Sequence, residues 1–130
     1  MRGKLILLVD DDRDFLEMNR GVLEARGFRV ACFTDSQAAL ASLDKERPDL
    51  VVTDLMMKAL DSGFSLARAV KQDPRCGGVP VIIVTAVASR RGFDFNPRSA
   101  KELIEMNAEA FFDKPVAPET LIAKVEELLA

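Results

Sequence analysis

The sequence predicts an α/β fold, a doubly wound five-stranded parallel sheet made from five successive strand–helix units. Three observations predict it. Short apolar runs, Leu5–Val9 and Leu50–Thr53 among them, lack the alternation of a half-exposed strand and read as strands buried on both faces. The segments between such runs carry apolar residues at helical spacing. The two patterns alternate along the chain, an order that lays helices on both faces of a parallel sheet through right-handed crossovers.

Each element has its own signals. Leu5–Val9 is the first strand. The helix over residues 13–26 has Phe15, Met18 and Val22 on one stripe with Leu16 and Leu23 beside it, and Gly27 is a natural stop. Residues 28–33 form a second strand, mixed in polarity and so nearer an edge. Thr34 and Gln37 have capping-box spacing and introduce a helix that turns Ala39, Leu40 and Leu43 inward. Pro48 separates it from the third strand, Leu50–Thr53. After a loop over 55–62 comes a helix with Phe64, Ala67 and Val70, ended by Asp73-Pro74 and followed by a turn at Cys76-Gly77-Gly78. Residues 81–84 are the fourth strand. Asn96-Pro97 combines a good cap with a proline at the first helical position, and the helix it opens buries Ala100, Leu103 and Ile104. Residues 110–112 form a short fifth strand. Pro118-Glu119 opens the last helix, with Leu121, Val125, Leu128 and Leu129 inward.

Composition bounds the function. The 130 residues suit one domain, 1–130, and the 48% hydrophobic and 30% charged content suits a packed core rather than disorder. A net charge of −3 gives no electrostatic reason to bind nucleic acid or an anionic membrane. No apolar run approaches the ~18 residues of a membrane span, and the run after Met1 is too short for a signal peptide. Cys32 and Cys76 stand apart from each other and read as reduced cysteines of a cytoplasmic protein. There is no histidine, which excludes a histidine base, a histidine metal ligand or a phosphohistidine carrier within these residues.

The chemistry gathers where the apolar runs end: Asp10 and Asp11, Asp54, Thr85 and Lys114. In an open parallel sheet, ligands bind outside the carboxyl ends of the strands. Crowded carboxylates repel one another unless a cation joins them, and hard oxygen ligands suit Mg²⁺. A hydroxyl and an ammonium can neutralise charge on a transferring phosphoryl group, and an aspartate can act as its nucleophile. Taken one at a time these residues have plainer uses. Asp10, Asp11 and Asp12 suit a helix N-terminus, Asp54 and Thr85 suit turns, and Lys114 suits a surface.

The segments Leu8-Val9-Asp10-Asp11-Asp12, Val51-Val52-Thr53-Asp54-Leu55-Met56-Met57, Ile82-Ile83-Val84-Thr85-Ala86 and Phe111-Phe112-Asp113-Lys114-Pro115 resemble, in order, the receiver domain of two-component response regulators, chiefly the single-domain chemotaxis type. The likeness covers nearly the whole chain. It implies a flavodoxin-like sheet in the strand order 2-1-3-4-5. It implies Asp54 as phosphoacceptor, and Mg²⁺ held by Asp11, Asp54 and the backbone carbonyl of Met56, with Asp10 acting through a water. Thr85 and Lys114 would contact phosphoryl oxygens, Lys114-Pro115 would be a cis peptide, and Thr85 with Phe111 would form the switch. The resemblance also implies a sensor histidine kinase or phosphotransfer protein as donor, and output to a downstream protein through the face of the fourth helix, fifth strand and fifth helix. Such a domain is not an enzyme beyond its own phosphorylation and dephosphorylation. Met56 and Val87, two residues past Asp54 and Thr85, would hinder hydrolytic water.

Two departures individualise the chain. Lys58 stands where the family commonly has proline, and Gly63 lies one residue later than usual. The stretch from Thr85 to Lys114 is longer than usual, with the surplus before Asn96. It carries Arg90, Arg91, Phe93 and Phe95, which suit a local cap, a partner surface or contact with a second copy of this chain. Two rival functions remain beside the receiver reading. One is a phosphorelay shuttle to a histidine phosphotransfer domain. The other is a small aspartate-dependent phosphohydrolase of the haloacid dehalogenase type, which fits poorly because Asp10 and Asp12 are followed by Asp14 and no late acidic motif follows Lys114.

Overall fold

The computed structural model describes residues 3–54, 62–76, 78–85, 108–114 and 116–130. The elements in chain order are β1 (Leu5–Val9), α1 (Arg13–Ala25), β2 (Arg29–Phe33), α2 (Ser36–Ser42), β3 (Leu50–Thr53), α3 (Ser62–Gln72), β4 (Val81–Thr85), β5 (Ala110–Asp113) and α4 (Pro118–Leu129). The helix expected from Asn96 lies outside the described residues. The five strands form one sheet in the order β2-β1-β3-β4-β5, every neighbouring pair parallel. The expected strand order therefore holds, with the mixed-polarity β2 at an edge.

The sheet divides the core in two because successive strand residues point to opposite faces. Leu7, Val9, Val51, Val81 and Ile83 pack with Ala39 and Leu43 around α2 and with Leu66, Ala67 and Val70 of α3. Ile6, Leu8, Leu50, Val52, Ile82 and Val84 pack with Phe15, Leu16 and Leu23 of α1 and with Leu121, Ile122 and Val125 of α4. All five residues of β1 are buried, as an unalternating apolar run predicts.

Local chemistry sets the helix ends. Gly27 takes φ 93°, a left-handed conformation that suits glycine. There Gly27 N–H donates to the Glu24 carbonyl at 3.0 Å and Phe28 N–H to the Leu23 carbonyl at 3.2 Å, which together close α1 as a Schellman motif. Two expectations need correction. α2 is capped by Asp35, whose carboxylate accepts the Ala38 N–H at 2.8 Å, and not by Thr34. On α1, Met18 is 48% exposed, and Asn19 takes the inward position at 1%. Asn19 lies one turn from both Phe15 and Leu23, on the line that faces the sheet, whereas Met18 is rotated about 100° from it.

Two acidic side chains fasten strand starts. Asp49 N–H donates to the Leu5 carbonyl at 2.8 Å while its carboxylate accepts the Leu5 N–H at 2.7 Å. Glu109 repeats the arrangement on Val81, with distances of 2.8 and 2.9 Å. Lys71 backs Glu109 with an ion pair and also donates to the Val79 carbonyl at 3.0 Å. Each carboxylate completes a ladder where the neighbouring strand has no further backbone to offer, which pins the register.

Candidate functional site

The strand order reverses between β1 and β3, and the carboxyl ends of those strands carry the acidic residues. Asp10 follows β1, its N–H donating to the Phe33 carbonyl at 3.0 Å. Asp54 follows β3, its N–H donating to the Val9 carbonyl at 3.0 Å. The sheet ladder thus runs on into both residues and fixes where their side chains start. Lys114 follows β5. Thr85 closes β4, paired in register with Asp113.

These ends converge. One carboxylate oxygen from each of Asp10, Asp11 and Asp54 lies within 4.8 Å of the others. Asp10 and Asp54 are buried, while Asp11 is exposed at the rim. Lys114 Nζ donates to Asp10 Oδ2 at 2.7 Å and to Asp54 Oδ2 at 3.4 Å. The other oxygen of Asp10 accepts the Asp12 N–H at 2.9 Å.

The charges are poorly matched. Burial pushes the Asp10 carboxyl up to about 6, against the lowering effect of its hydrogen bonds to Lys114 and Asp12. Burial works to lower Lys114 too, but the hydrogen bond and charge of Asp10, with the charge of Asp54, hold its ammonium above the ordinary value. Among the described residues, one ammonium faces three close carboxylates, an excess of negative charge in a partly dry pocket. An all-oxygen donor set of that kind fits a hard divalent cation such as Mg²⁺.

The acidic triplet is divided in its use. Asp10 and Asp11 enter the cluster, whereas Asp12 caps α1 by accepting from the N–H groups of Asp14 at 3.0 Å and Phe15 at 3.3 Å. Phe111 is half-buried against the apolar cluster beneath α2 and α3. Met56, Pro115, Arg90, Arg91, Phe93 and Phe95 lie outside the described residues, as do Lys58 and Val87. One contact escaped the sequence reading. The Phe15 ring lies under Lys114, with Nζ 4.6 Å from its centroid. Helical spacing marked Phe15 only as a core residue, and no spacing relates it to a lysine at the far end of the chain.

The profile described as the response regulator receiver domain matches residues 6–126. The chain belongs to the response regulator receiver domain family. This receiver is 33% identical over 129 residues to the phosphate regulon transcriptional regulatory protein PhoB of Pseudomonas aeruginosa, covering 99% of this chain and 53% of that protein. It is 33% identical over 124 residues to the DNA-binding response regulator MtrA of Mycobacterium tuberculosis, covering 95% of this chain and 50% of MtrA. This receiver thus spans about half the length of those relatives. Among solved structures it resembles the chemotaxis response regulator CheY4 of Vibrio cholerae, with a TM-score of 0.82, 26% identity and coverage of 98% and 99% of the two chains. It also resembles a receiver domain protein of Methanospirillum hungatei, with a TM-score of 0.76, 27% identity and coverage of 98% and 94%. No helix among the described residues is long and apolar enough to cross a membrane.

Proposed function

We propose that this receiver accepts a phosphoryl group on Asp54 from a histidine kinase or phosphotransfer protein, in a Mg²⁺-dependent reaction, and signals by protein contact. The observation that carries the proposal is the convergence of Asp10, Asp11 and Asp54 within 4.8 Å, with the Lys114 ammonium bonded to two of them. Asp54 is the acceptor by its resemblance to the receiver motif, and its place in the acidic cluster, buried at a strand end 3.4 Å from the Lys114 ammonium, supports that role. Asp11, Asp54 and the backbone carbonyl of Met56 would hold the cation, with Asp10 acting through a water. Bound there, Mg²⁺ supplies positive charge to the phosphoryl oxygens.

In the transfer, an Asp54 carboxylate oxygen attacks phosphorus and an O–P bond forms. The P–N bond of the donor phosphohistidine breaks, and the imidazole leaves with the electron pair. Lys114 turns from Asp10 toward the phosphoryl oxygens and stabilises their charge, together with the Thr85 hydroxyl. The added charge of about −1.5 to −2 biases a two-state equilibrium. Phe111, with Thr85, is the residue assigned to the switch; its ring has no hydroxyl to favour an outward, solvent-facing position, and its half-buried place against the core supports a preference for turning inward. The output surface then lies on the helix expected from Asn96, β5 and the last helix, α4.

The test is incubation with Mg²⁺ and acetyl phosphate, followed by intact mass. A single phosphoryl adduct is expected on the unaltered chain, with none on Asp54→Asn and none after chelation of the metal. No adduct on the unaltered chain, or an undiminished adduct on Asp54→Asn, would overturn the proposal.

A further inference from the structure

We propose that Phe15 is a positioning residue for phosphoryl transfer: its ring face holds the Lys114 ammonium beside Asp54 while that ammonium exchanges Asp10 for the phosphoryl group. The inference rests on the reading of Asp54 as phosphoacceptor. Its starting point is a contact between two largely buried side chains. Phe15 is 8% exposed and the Lys114 side chain 14%. At 4.6 Å from the ring centroid, Nζ is well inside the ~6 Å reach of a cation–π contact, and desolvation strengthens such contacts.

The contact closes a circuit. Lys114 Nζ donates to Asp10 Oδ2 at 2.7 Å. Asp10 Oδ1 accepts the Asp12 N–H at 2.9 Å. Asp12 Oδ1 accepts the Phe15 N–H at 3.3 Å. The Phe15 ring returns to Lys114. The cap that starts α1 therefore also sets where the ring stands relative to the lysine. The rest of the ring packs in the apolar cluster with the buried residues of α1 and α4, so it cannot follow the ammonium if the ammonium leaves.

An aromatic face suits this position for a chemical reason. A carboxylate or hydroxyl in its place would accept a strong hydrogen bond and compete with the phosphoryl oxygens for the ammonium. A ring attracts the charge yet leaves the N–H donors directed at oxygen. Of the three contacts on Nζ among the described residues, the ring is the one whose charge does not change when a cation joins the carboxylates or a phosphoryl group arrives. It acts as the fixed side of a pivot. Leucine would fill a similar space and exclude water, but it would give the ammonium no directional hold.

The experiment follows adduct formation from acetyl phosphate at saturating Mg²⁺, by intact mass over time. It compares the unaltered chain with Phe15→Tyr, Phe15→Leu, Lys114→Ala and the double variant Phe15→Leu/Lys114→Ala. Phe15→Leu is expected to slow the reaction about three- to tenfold, and Phe15→Tyr to stay within about twofold of the unaltered chain. In the Lys114→Ala background, Phe15→Leu should cause no further loss. If Phe15→Leu is unfolded by circular dichroism, Phe15→Met replaces it with the same expectations. Equal slowing with and without Lys114 would make the ring a mere core filler and overturn the inference, as would Phe15→Leu reacting as fast as the unaltered chain. An unaltered chain that takes up no phosphoryl group would instead overturn the reading of Asp54, and this inference with it.

Discussion

Asp10→Asn should stabilise the metal-free protein, and the gain should depend on pH in a defined direction. Asp10 is fully buried, and both of its oxygens are engaged, by Lys114 at 2.7 Å and by the Asp12 N–H at 2.9 Å. Burial nevertheless raises its pKa from the ordinary 3.8 to about 6. At about 1.4 kcal/mol per pKa unit, charging this carboxyl costs about 3 kcal/mol more in the folded chain than in the unfolded one. Between pH 3.8 and about 6 the folded chain keeps a proton that the unfolded chain has released. Stability from this group is therefore fully present below that window and lost as pH rises through it. The amide keeps an oxygen for Lys114 or the Asp12 N–H and carries no charge.

The assay is urea unfolding in the presence of a chelator, followed by far-ultraviolet circular dichroism, since the sequence has neither tryptophan nor tyrosine. The variant should be more stable by about 2–3 kcal/mol near neutral pH and nearly equal to the unaltered chain near pH 4. Glu46 and Asp73, whose pKa values are lowered by their arginine partners, titrate alike in both proteins and cancel in the difference. Adding Mg²⁺ should narrow the gap, because binding favours the folded state of the fully acidic site more. A gap that does not change with pH would refute the burial argument. So would a variant less stable than the unaltered chain near neutral pH, which would mean that the Lys114 ion pair outweighs burial.

Two further outcomes concern the frame around the site. Glu109→Ala should cost about 1–3 kcal/mol, because it strands the Val81 N–H and removes the ion-pair partner of Lys71, which keeps its bond to the Val79 carbonyl. Urea midpoints measure this, and an unchanged midpoint would show that the β4 start needs no clamp. Asn19 is buried, with its side-chain oxygen lacking a hydrogen-bond partner. Asn19→Leu should therefore leave stability unchanged or raise it by about 1 kcal/mol, and a clear loss in thermal unfolding would contradict this.

Much of this molecule was legible in the linear chain. Apolar runs without alternation located β1, β3 and β4, and the polar residue ending each run located the site. Asp10, Asp11, Asp54 and Lys114 do converge, because parallel strands bring all their carboxyl ends to one edge of the sheet. Errors arose where neighbouring residues competed for one role. Thr34 with Gln37 matched a capping box, yet the chain leaves β2 so that Asp35 reaches the Ala38 N–H. Met18 matched a helical stripe, yet the packing of α1 on the sheet turned Asn19 inward instead. Periodicity resolves a face to about one residue, and the partner surface decides the remainder.

The sequence by itself determined the fold class, the order of the strand-end motifs and the oxygen-rich character of the pocket with a lysine beside it. These follow from hydrophobic period and side-chain type, which are local properties. Only the tertiary structure divided the acidic triplet, burying Asp10, leaving Asp11 at the rim and spending Asp12 on the α1 cap. It alone raised the pKa of Asp10 and set Phe15 under Lys114. Burial and close approach depend on how distant segments pack. Adjacent residues of one type can therefore differ in charge state and role although nothing in their local sequence distinguishes them.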